Sequence, residues 1–224
     1  WQWEELPDGI RFSLYSPDGE GGFPGNIRVI TDYRFNEDNE LSVRHYAETD
    51  CATYINMTNH AYFNLCGKGK KITEHRLHIP ADRILDTTPA FIPTGKRMNV
   101  KNTPFDFTSL KPIGTDLYAD HEQLLWNKGY NHCYILKDEI SVEMLEAASL
   151  YEPVTGRKMT VMTDLPAVLL YTAGYYERPD TAVCLETQFY PDTPSHSDFP
   201  SCLVLPEKAY EHCTLFHFQV QKEE

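Results

Sequence analysis

Two distant segments of the chain carry the residue types that proton transfer needs. His60 lies in residues 58–62 (TNHAY), and Glu186 lies in residues 185–188 (LETQ). Histidine titrates near neutral pH and burial tunes a carboxylate, so the two can serve as general acid and general base. Each also has a structural alternative, namely a hydrogen-bonded buried histidine and a glutamate paired with an arginine that ties strands together.

Strand alternation assigns a face to each group. A strand over residues 52–65 has one polar face, formed by Asn56, Thr58, His60 and Tyr62. In residues 183–188, Val183 and Leu185 point to the core. This leaves Cys184, Glu186 and Gln188 on the opposite face. Apolar neighbours predict partial burial of Glu186, which raises its pKa and makes it a better base near neutral pH.

A third candidate is Asn131, in residues 129–136 (GYNHCYIL). The pattern predicts a strand in which Asn131 and Cys133 face away from His132. An asparagine amide both donates and accepts hydrogen bonds, which suits a sugar hydroxyl. The alternative is a strand-entry residue that bonds local backbone groups.

The sequence predicts no metal site. His75 and His78 are three residues apart, and strand geometry puts them on opposite faces. The chain also lacks a G-x-S-x-G elbow, a Walker-type loop and a G-x-G-x-x-G motif. Serine hydrolase, nucleotide hydrolase and Rossmann chemistry therefore lack their sequence marks.

Composition excludes further classes. The formal net charge of −13 and the absence of a basic stripe argue against a nucleic-acid partner. No apolar run approaches the roughly 20 residues that cross a bilayer, so we expect no membrane insertion. The six cysteines are scattered without a C-x-x-C pair, which favours a reducing, cytoplasmic setting.

The chain as a whole has the pattern of an all-β protein. Residues 10–15, 41–46 and 159–162 alternate between apolar and polar types, and turn-forming clusters separate the alternating segments. Residues 141–150 are predicted to form a strand rather than a helix because a Pro-Val-Thr-Gly turn follows them. Residues 80–120 alternate weakly and are predicted to be extended connections. No linker divides the chain, so one domain is expected over residues 1–224.

The motifs together resemble those of aldose 1-epimerases. Residues 56–65 (NMTNHAYFNL) resemble the family's N-x-T-N-H-x-Y-F-N-L signature, and residues 184–192 (CLETQFYPD) its C-L-E-x-Q-x-x-P-D block. A G-Y-(D/N)-H block at residues 129–132, a Y-T block at 171–172 and an F-P-S block at 199–201 follow the family order. The turn at residues 16–25 is also similar to the family's opening S-P-D-G-E segment, so the resemblance covers essentially the whole chain.

This resemblance implies a galactose mutarotase-like β-supersandwich of large antiparallel sheets. It also implies interconversion of the α and β anomers of free hexoses, with Glu186 as base on the anomeric hydroxyl and His60 as acid on the ring oxygen. Asn131, Tyr62 and Gln188 are expected to bind the sugar, a small free aldohexose. Acid/base anomerisation requires no cofactor, and we expect none. The expected assembly is a monomer or a weak homodimer.

Several departures from the family pattern affect substrate preference more than reaction type. Asn131 stands where the family commonly has Asp, Leu169 where many relatives have Gln, and Gly174 where many have Asn. The family's N-terminal G-R-x-x-N-R-I and L-H-G-G segments are absent. Either this chain is the larger C-terminal part of a longer protein that carries them, or a second polypeptide supplies them. The fragment alone would hold only part of the groups that bind the sugar, and inactivity is expected for it.

Three alternative functions compete with this interpretation, and these departures motivate the first of them. A non-catalytic carbohydrate-binding or regulatory module would keep the fold and lose turnover. A glycosidase would need a second carboxylate to partner Glu186, and the sequence has no other acidic residue in a comparably distinctive setting. A hexose-6-phosphate epimerase would need a cationic phosphate pocket, and the segments that carry the motifs supply no such cluster.

Overall fold

The computed structural model describes residues 1–67, 69–140 and 142–221. The strands of this part of the chain are β1 (Gln2–Leu6), β2 (Gly9–Ser16), β3 (Ile27–Phe35), β4 (Glu40–Thr49), β5 (Thr53–Tyr54), β6 (Arg76–His78), β7 (Arg83–Thr87), β8 (Pro93–Asn99), β9 (Lys111–Pro112), β10 (Asn131–Ile135), β11 (Leu145–Glu152), β12 (Arg157–Thr163), β13 (Ala167–Tyr171), β14 (Cys184–Gln188), β15 (Leu203–Val204) and β16 (Tyr210–Val220). A short helix, α1 (Glu122–Asn127), precedes β10, and 3₁₀ turns lie at Glu20–Gly22, Ile113–Thr115 and Thr193–Ser195.

The strands form two large antiparallel sheets and a small one. The nine-stranded sheet has the order β1-β2-β3-β4-β16-β12-β11-β6-β9, and the five-stranded sheet has the order β14-β13-β10-β7-β8. Strands β15 and β5 make a two-stranded ribbon. The all-β prediction is confirmed, because extended strands with antiparallel partners account for nearly all of the regular structure described.

The main core lies between the two large sheets. The larger sheet contributes apolar side chains that include Val43, Leu77, Leu150, Val161 and Phe216. The smaller sheet contributes side chains that include Ile84, Tyr134, Val168, Leu170 and Leu185. Because strand side chains alternate between faces, each sheet buries one row against the other. We propose on this basis that the chain forms one domain.

Most of the alternating segments are strands, as predicted. Residues 10–15, 41–46 and 159–162 lie inside β2, β4 and β12. Of the predicted strand over residues 141–150, residues 145–150 lie in β11, while Ser141 lies outside the described residues. Across the described residues, no helix is long and apolar enough to cross a membrane.

Two predictions about local structure were wrong. The strand expected over residues 52–65 is limited to β5 and an isolated bridge between Phe63 and Val183, since side-chain bonds rather than a ladder hold the intervening residues. Residues 80–120, expected to be connections, contain β7, β8 and β9. Pairing with other strands stabilises their extended conformation, for example Ile84 of β7 opposite Tyr134 of β10.

Candidate active site

Glu186 lies at the centre of β14, on the outer edge of the five-stranded sheet. Val183 and Leu185 enter the main core, as the alternation predicted, and the Glu186 side chain is 8% exposed. This burial raises the pKa of the Glu186 carboxyl, and the positive charge of a protonated His60 acts in the opposite direction. The carboxylate is therefore set up as a stronger base than an exposed glutamate.

An arch formed by residues 56–63 carries His60 across the edge of β14. At one end, the Asn56 side chain accepts a hydrogen bond from the Phe189 amide (2.9 Å) and donates one to the Phe189 carbonyl (3.1 Å). At the other end, Phe63 and Val183 exchange two backbone hydrogen bonds, each of 2.9 Å. Because the two anchors lie on either side of Glu186, the middle of the arch places His60 opposite it.

The tertiary structure brings the two predicted acid/base residues together. His60 Nε2 lies 3.4 Å from Glu186 Oε1. Oε1 itself is buried and has no hydrogen-bond partner among the described residues. The His60 side chain is 50% exposed, so the pair has a buried member and a member open to solvent. No arginine pairs with Glu186 in the described part of the chain, contrary to the structural alternative.

Aromatic rings surround the exposed side of His60. The Tyr62 ring stacks on the imidazole with centroids 5.1 Å apart, and the Tyr171 ring meets its edge at 6.1 Å. Tyr176 contacts Tyr62 in turn, with centroids 5.7 Å apart. Aromatic faces of this kind pack against the C–H groups of a sugar ring, while tyrosine hydroxyls bond its oxygens.

The other predicted binding residues lie on neighbouring strands. Asn131 opens β10, is half-buried and pairs with Tyr171 of β13. Gln188 ends β14 two residues after Glu186, so its half-buried side chain shares that face. Leu169 pairs directly with Glu186 across β13 and β14, which puts an apolar side chain against the carboxylate.

Sequence reasoning missed two neighbours of the pair. Tyr171 reaches His60 because β13 lies beside β14, and a sequence pattern contains no information about that pairing. Cys184 precedes Glu186 by two residues, and the alternation placed both on one face without giving the thiol a role. The signal for Cys184 was therefore present in the sequence.

The two histidines considered for a metal have separate partners. His75 is buried, and its Nε2 accepts a hydrogen bond from the Leu65 amide at 3.0 Å. His78 Nδ1 lies 3.2 Å from a carboxylate oxygen of Glu146. A cavity of about 680 Å³ reaches Met57 and Thr58 of the arch but is not lined by His60 or Glu186. The acid/base pair therefore lies beside this cavity, not inside it.

Gly174 has a packing reason for lacking a side chain. A Cβ at this position would lie 2.2 Å from the Lys128 carbonyl oxygen and 2.9 Å from that of Asn127. These carbonyls belong to the last turn of α1 and the residue after it, just before β10. Close contact between this turn and the end of β13 therefore requires glycine at residue 174.

We expect Gly174→Asn to destabilise the protein by about 1 to 3 kcal/mol, since an overpacked side chain must displace backbone. Denaturant unfolding followed by circular dichroism measures the loss. Gly67→Asn is the control, because a Cβ at residue 67 would meet no atom within 4 Å. The φ of Gly67 is 96°, so its substitution costs backbone strain but no overpacking. An unchanged midpoint for Gly174→Asn would contradict the packing account.

A family model described as aldose 1-epimerase matches residues 1–217, and the chain therefore belongs to the aldose 1-epimerase family. Its curated relatives include the galactose mutarotase of Rattus norvegicus, which is 34% identical over 98% of this chain and 66% of that protein. The aldose 1-epimerase of Escherichia coli (strain K12) is 32% identical over 93% of this chain and 63% of that protein. The chain thus spans a little less than two thirds of these relatives.

Solved structures agree with the fold. The galactose 1-epimerase of Lactobacillus acidophilus NCFM superimposes with a TM-score of 0.84 at 26% identity, covering 98% of this chain and 66% of that one. An aldose epimerase homologue from C. elegans gives a TM-score of 0.86 at 24% identity, with 98% and 69% covered. The mutarotase-like fold implied by the sequence motifs is confirmed.

Proposed function

We propose that the protein is an aldose 1-epimerase that interconverts the α and β anomers of free hexoses such as glucose and galactose. The observation that carries the proposal is the 3.4 Å approach of His60 Nε2 to the buried Glu186 Oε1. The anomeric hydroxyl oxygen and the ring oxygen are bonded to the same carbon. A closely spaced base and acid can therefore reach both at once.

The proposed reaction moves two protons and breaks one bond. Glu186 takes the proton of the anomeric hydroxyl, the C1–O5 bond breaks as the C1 carbonyl forms, and protonated His60 gives its proton to O5. The aldehyde then rotates about the C1–C2 bond. On closure His60 takes back the O5 proton while O5 attacks the other face of C1, and Glu186 returns its proton to the carbonyl oxygen.

Three further side chains are proposed to bind the sugar. Tyr62 offers a ring face beside His60, and Gln188 offers an amide on the face that carries Glu186. Asn131 enters from β10 through its pairing with Tyr171. All three are neutral, which fits an uncharged aldohexose better than a phosphorylated one.

Polarimetry tests the proposal directly. Freshly dissolved α-glucose or α-galactose is followed with the full-length protein, because this chain spans 66% of the length of its rat relative. Mutarotation faster than the spontaneous rate is expected. Sugar binding by calorimetry without any acceleration would instead support a non-catalytic carbohydrate-binding module and overturn the proposal.

A pH profile tests the state of Glu186. The base must be ionised, and burial raises the Glu186 pKa above its ordinary value of 4.5. We therefore expect kcat to fall, on acidification, at a higher pH than an exposed carboxyl would give. Leu169→Gln places an amide beside the carboxylate, favours its ionised form and should shift this fall to lower pH.

Comparing the pH profiles of the unmodified protein and Leu169→Gln shows whether burial of Glu186 sets the pH at which kcat falls. Titratable groups around Glu186 include His60, Tyr62, Cys133 and Cys184, and the Leu169→Gln substitution leaves all of them in place. A fall centred in the ordinary carboxyl range for the unmodified protein would refute the role of burial. An identical pH profile for Leu169→Gln would do the same.

We further propose a cytoplasmic location and a monomeric or weakly dimeric state. The described cysteines are all free thiols, and Cys133, Cys184 and Cys202 are buried as thiols in the folded chain. A reducing compartment preserves such thiols during folding. Cell fractionation and light scattering across a concentration series check the two statements.

A further inference from the structure

The Cys184 thiol lies beside the acid/base pair and adds a third potential metal ligand. The ligand atoms of His60, Cys184 and Glu186 all lie within 4.8 Å of one another. The geometry arises because Cys184 and Glu186 are alternate residues of β14 and share the face over which the arch carries His60. We propose that these three side chains bind a thiophilic divalent metal ion such as Zn²⁺. The bound ion would prevent His60 and Glu186 from acting as acid and base.

The spacing is close to that of a tetrahedral zinc centre. With Zn–N and Zn–S bonds of about 2.0 to 2.3 Å, ligand atoms lie about 3.3 to 3.6 Å apart. His60 Nε2 and Glu186 Oε1 are already 3.4 Å apart. The sulfur needs to approach by about 1 Å, which rotation of the Cys184 side chain can supply.

The second observation is an unpartnered oxygen aimed at the trio. Glu186 is buried, and its Oε1 has no hydrogen-bond partner within the described residues. A buried carboxylate oxygen without a donor is costly, and a cation satisfies it. The half-exposed His60 ring leaves a route from solvent, so the ion can enter beside it.

The donor set selects the kind of ion. One imidazole nitrogen, one thiolate sulfur and one carboxylate oxygen favour Zn²⁺ or Co²⁺ over Mg²⁺ or Ca²⁺, which prefer oxygen ligands alone. Binding displaces the Cys184 thiol proton to solvent and forms the metal–sulfur bond, so two ligand negative charges balance the divalent ion. Three protein ligands leave a fourth position open to water or a sugar hydroxyl.

The consequence for turnover rests on the proposed function, while metal binding itself does not. A metal held by His60 and Glu186 occupies the lone pairs that must carry protons. The ion therefore acts as an inhibitor that competes with proton transfer, and removing the thiol should relieve inhibition without removing the acid or the base.

Cobalt spectroscopy of the purified chain, first treated with chelator and desalted, tests the site. Adding Co²⁺ should produce a thiolate-to-cobalt charge-transfer band in the near ultraviolet, and excess Zn²⁺ should remove it. Cys184→Ala should abolish the band. Cys133→Ala is the matched control, since Cys133 is also buried but is not one of the three ligands, and it should retain the band.

A second variant separates ligand loss from misfolding. His60 is half-exposed, so His60→Ala should leave the far-ultraviolet circular dichroism unchanged and weaken Co²⁺ binding by at least about tenfold. In the full-length protein, Zn²⁺ should inhibit mutarotation, and Cys184→Ala should raise the inhibitory Zn²⁺ concentration by at least about tenfold.

The proposal is overturned if Co²⁺ gives no band, or if Cys184→Ala keeps it. A band in a protein without mutarotase activity supports the metal site and counts against the proposed function, so the two failures are distinguishable.

Discussion

The Glu186→Gln variant is expected to lose about 10²- to 10⁴-fold in kcat for mutarotation, the usual contribution of a positioned general base. The amide has nearly the shape of the carboxylate but cannot accept the proton of the anomeric hydroxyl. The measurement is optical rotation of fresh α-glucose against enzyme concentration. Equal rates for the variant and the unmodified protein would remove Glu186 from the mechanism.

Two further variants sharpen this result. His60→Asn should cause a loss of similar size, and the double variant should be little worse than either single one, because acid and base act as a unit. Glu211→Gln replaces an exposed carboxylate that pairs with Arg44 of β4 rather than with any residue of the site, and it should leave the rate unchanged. Additive losses in the double variant would argue for two independent roles.

Glu186→Gln should not unfold the protein. Burial raises the Glu186 pKa, so above that pKa the ionised carboxylate carries a desolvation cost in the folded state. Below the unfolded-state pKa the carboxyl is neutral in both states and the cost vanishes. Glu186→Gln should therefore match or exceed the unmodified protein in stability at neutral pH, by up to about 2 kcal/mol, with the difference shrinking in acid.

The second large effect is expected at Asn56, which does not contact the acid/base pair. Asn56→Ala removes both hydrogen bonds to the Phe189 backbone and releases one anchor of the arch. We expect a loss of about 1 to 3 kcal/mol in the free energy of unfolding. We also expect kcat to fall by about 10²-fold, because a shift of about 1 Å in His60 spoils the proton-transfer geometry.

The division between kcat and KM makes this test specific. Asn56 acts by positioning His60, so kcat should fall more than KM rises, and the folded fraction at assay temperature should stay high. Asn99→Ala, at the exposed end of β8, is the matched control and should change neither quantity. If Asn56→Ala loses stability and keeps its kcat, the anchor does not position the acid.

The residues on either side of Glu186 are sufficient to predict a buried carboxylate with a raised pKa. Val183 and Leu185 alternate with it, and period-two patterning on a sheet edge next to a core buries one row of side chains. The same patterning correctly predicted β2, β4 and β12. Where alternation is strong and both flanking turns are clear, local residues determine the strand.

The arch shows where that reasoning fails. Residues 56–62 alternate as a strand would, yet the Asn56 amide bonds the Phe189 backbone and takes the place of a ladder. The opposite error occurred at β8, which was not predicted to be a strand. Pro93 and Gly95 weaken its alternating pattern, yet pairing with β7 holds it in an extended conformation. In both cases a contact made outside the segment outweighs the segment's own local preference.

The sequence by itself determined the chemistry available to this protein: an imidazole and a carboxylate in motifs of the aldose 1-epimerase family, and an all-β chain to hold them. The tertiary structure alone decided that His60 lies 3.4 Å from Glu186, that Leu169 lies against the carboxylate and that Cys184 adds a sulfur to the pair. The physical reason is that residue type sets what a side chain can do. Burial and distance, which set its pKa and its reach, depend on strand pairing between segments far apart in sequence.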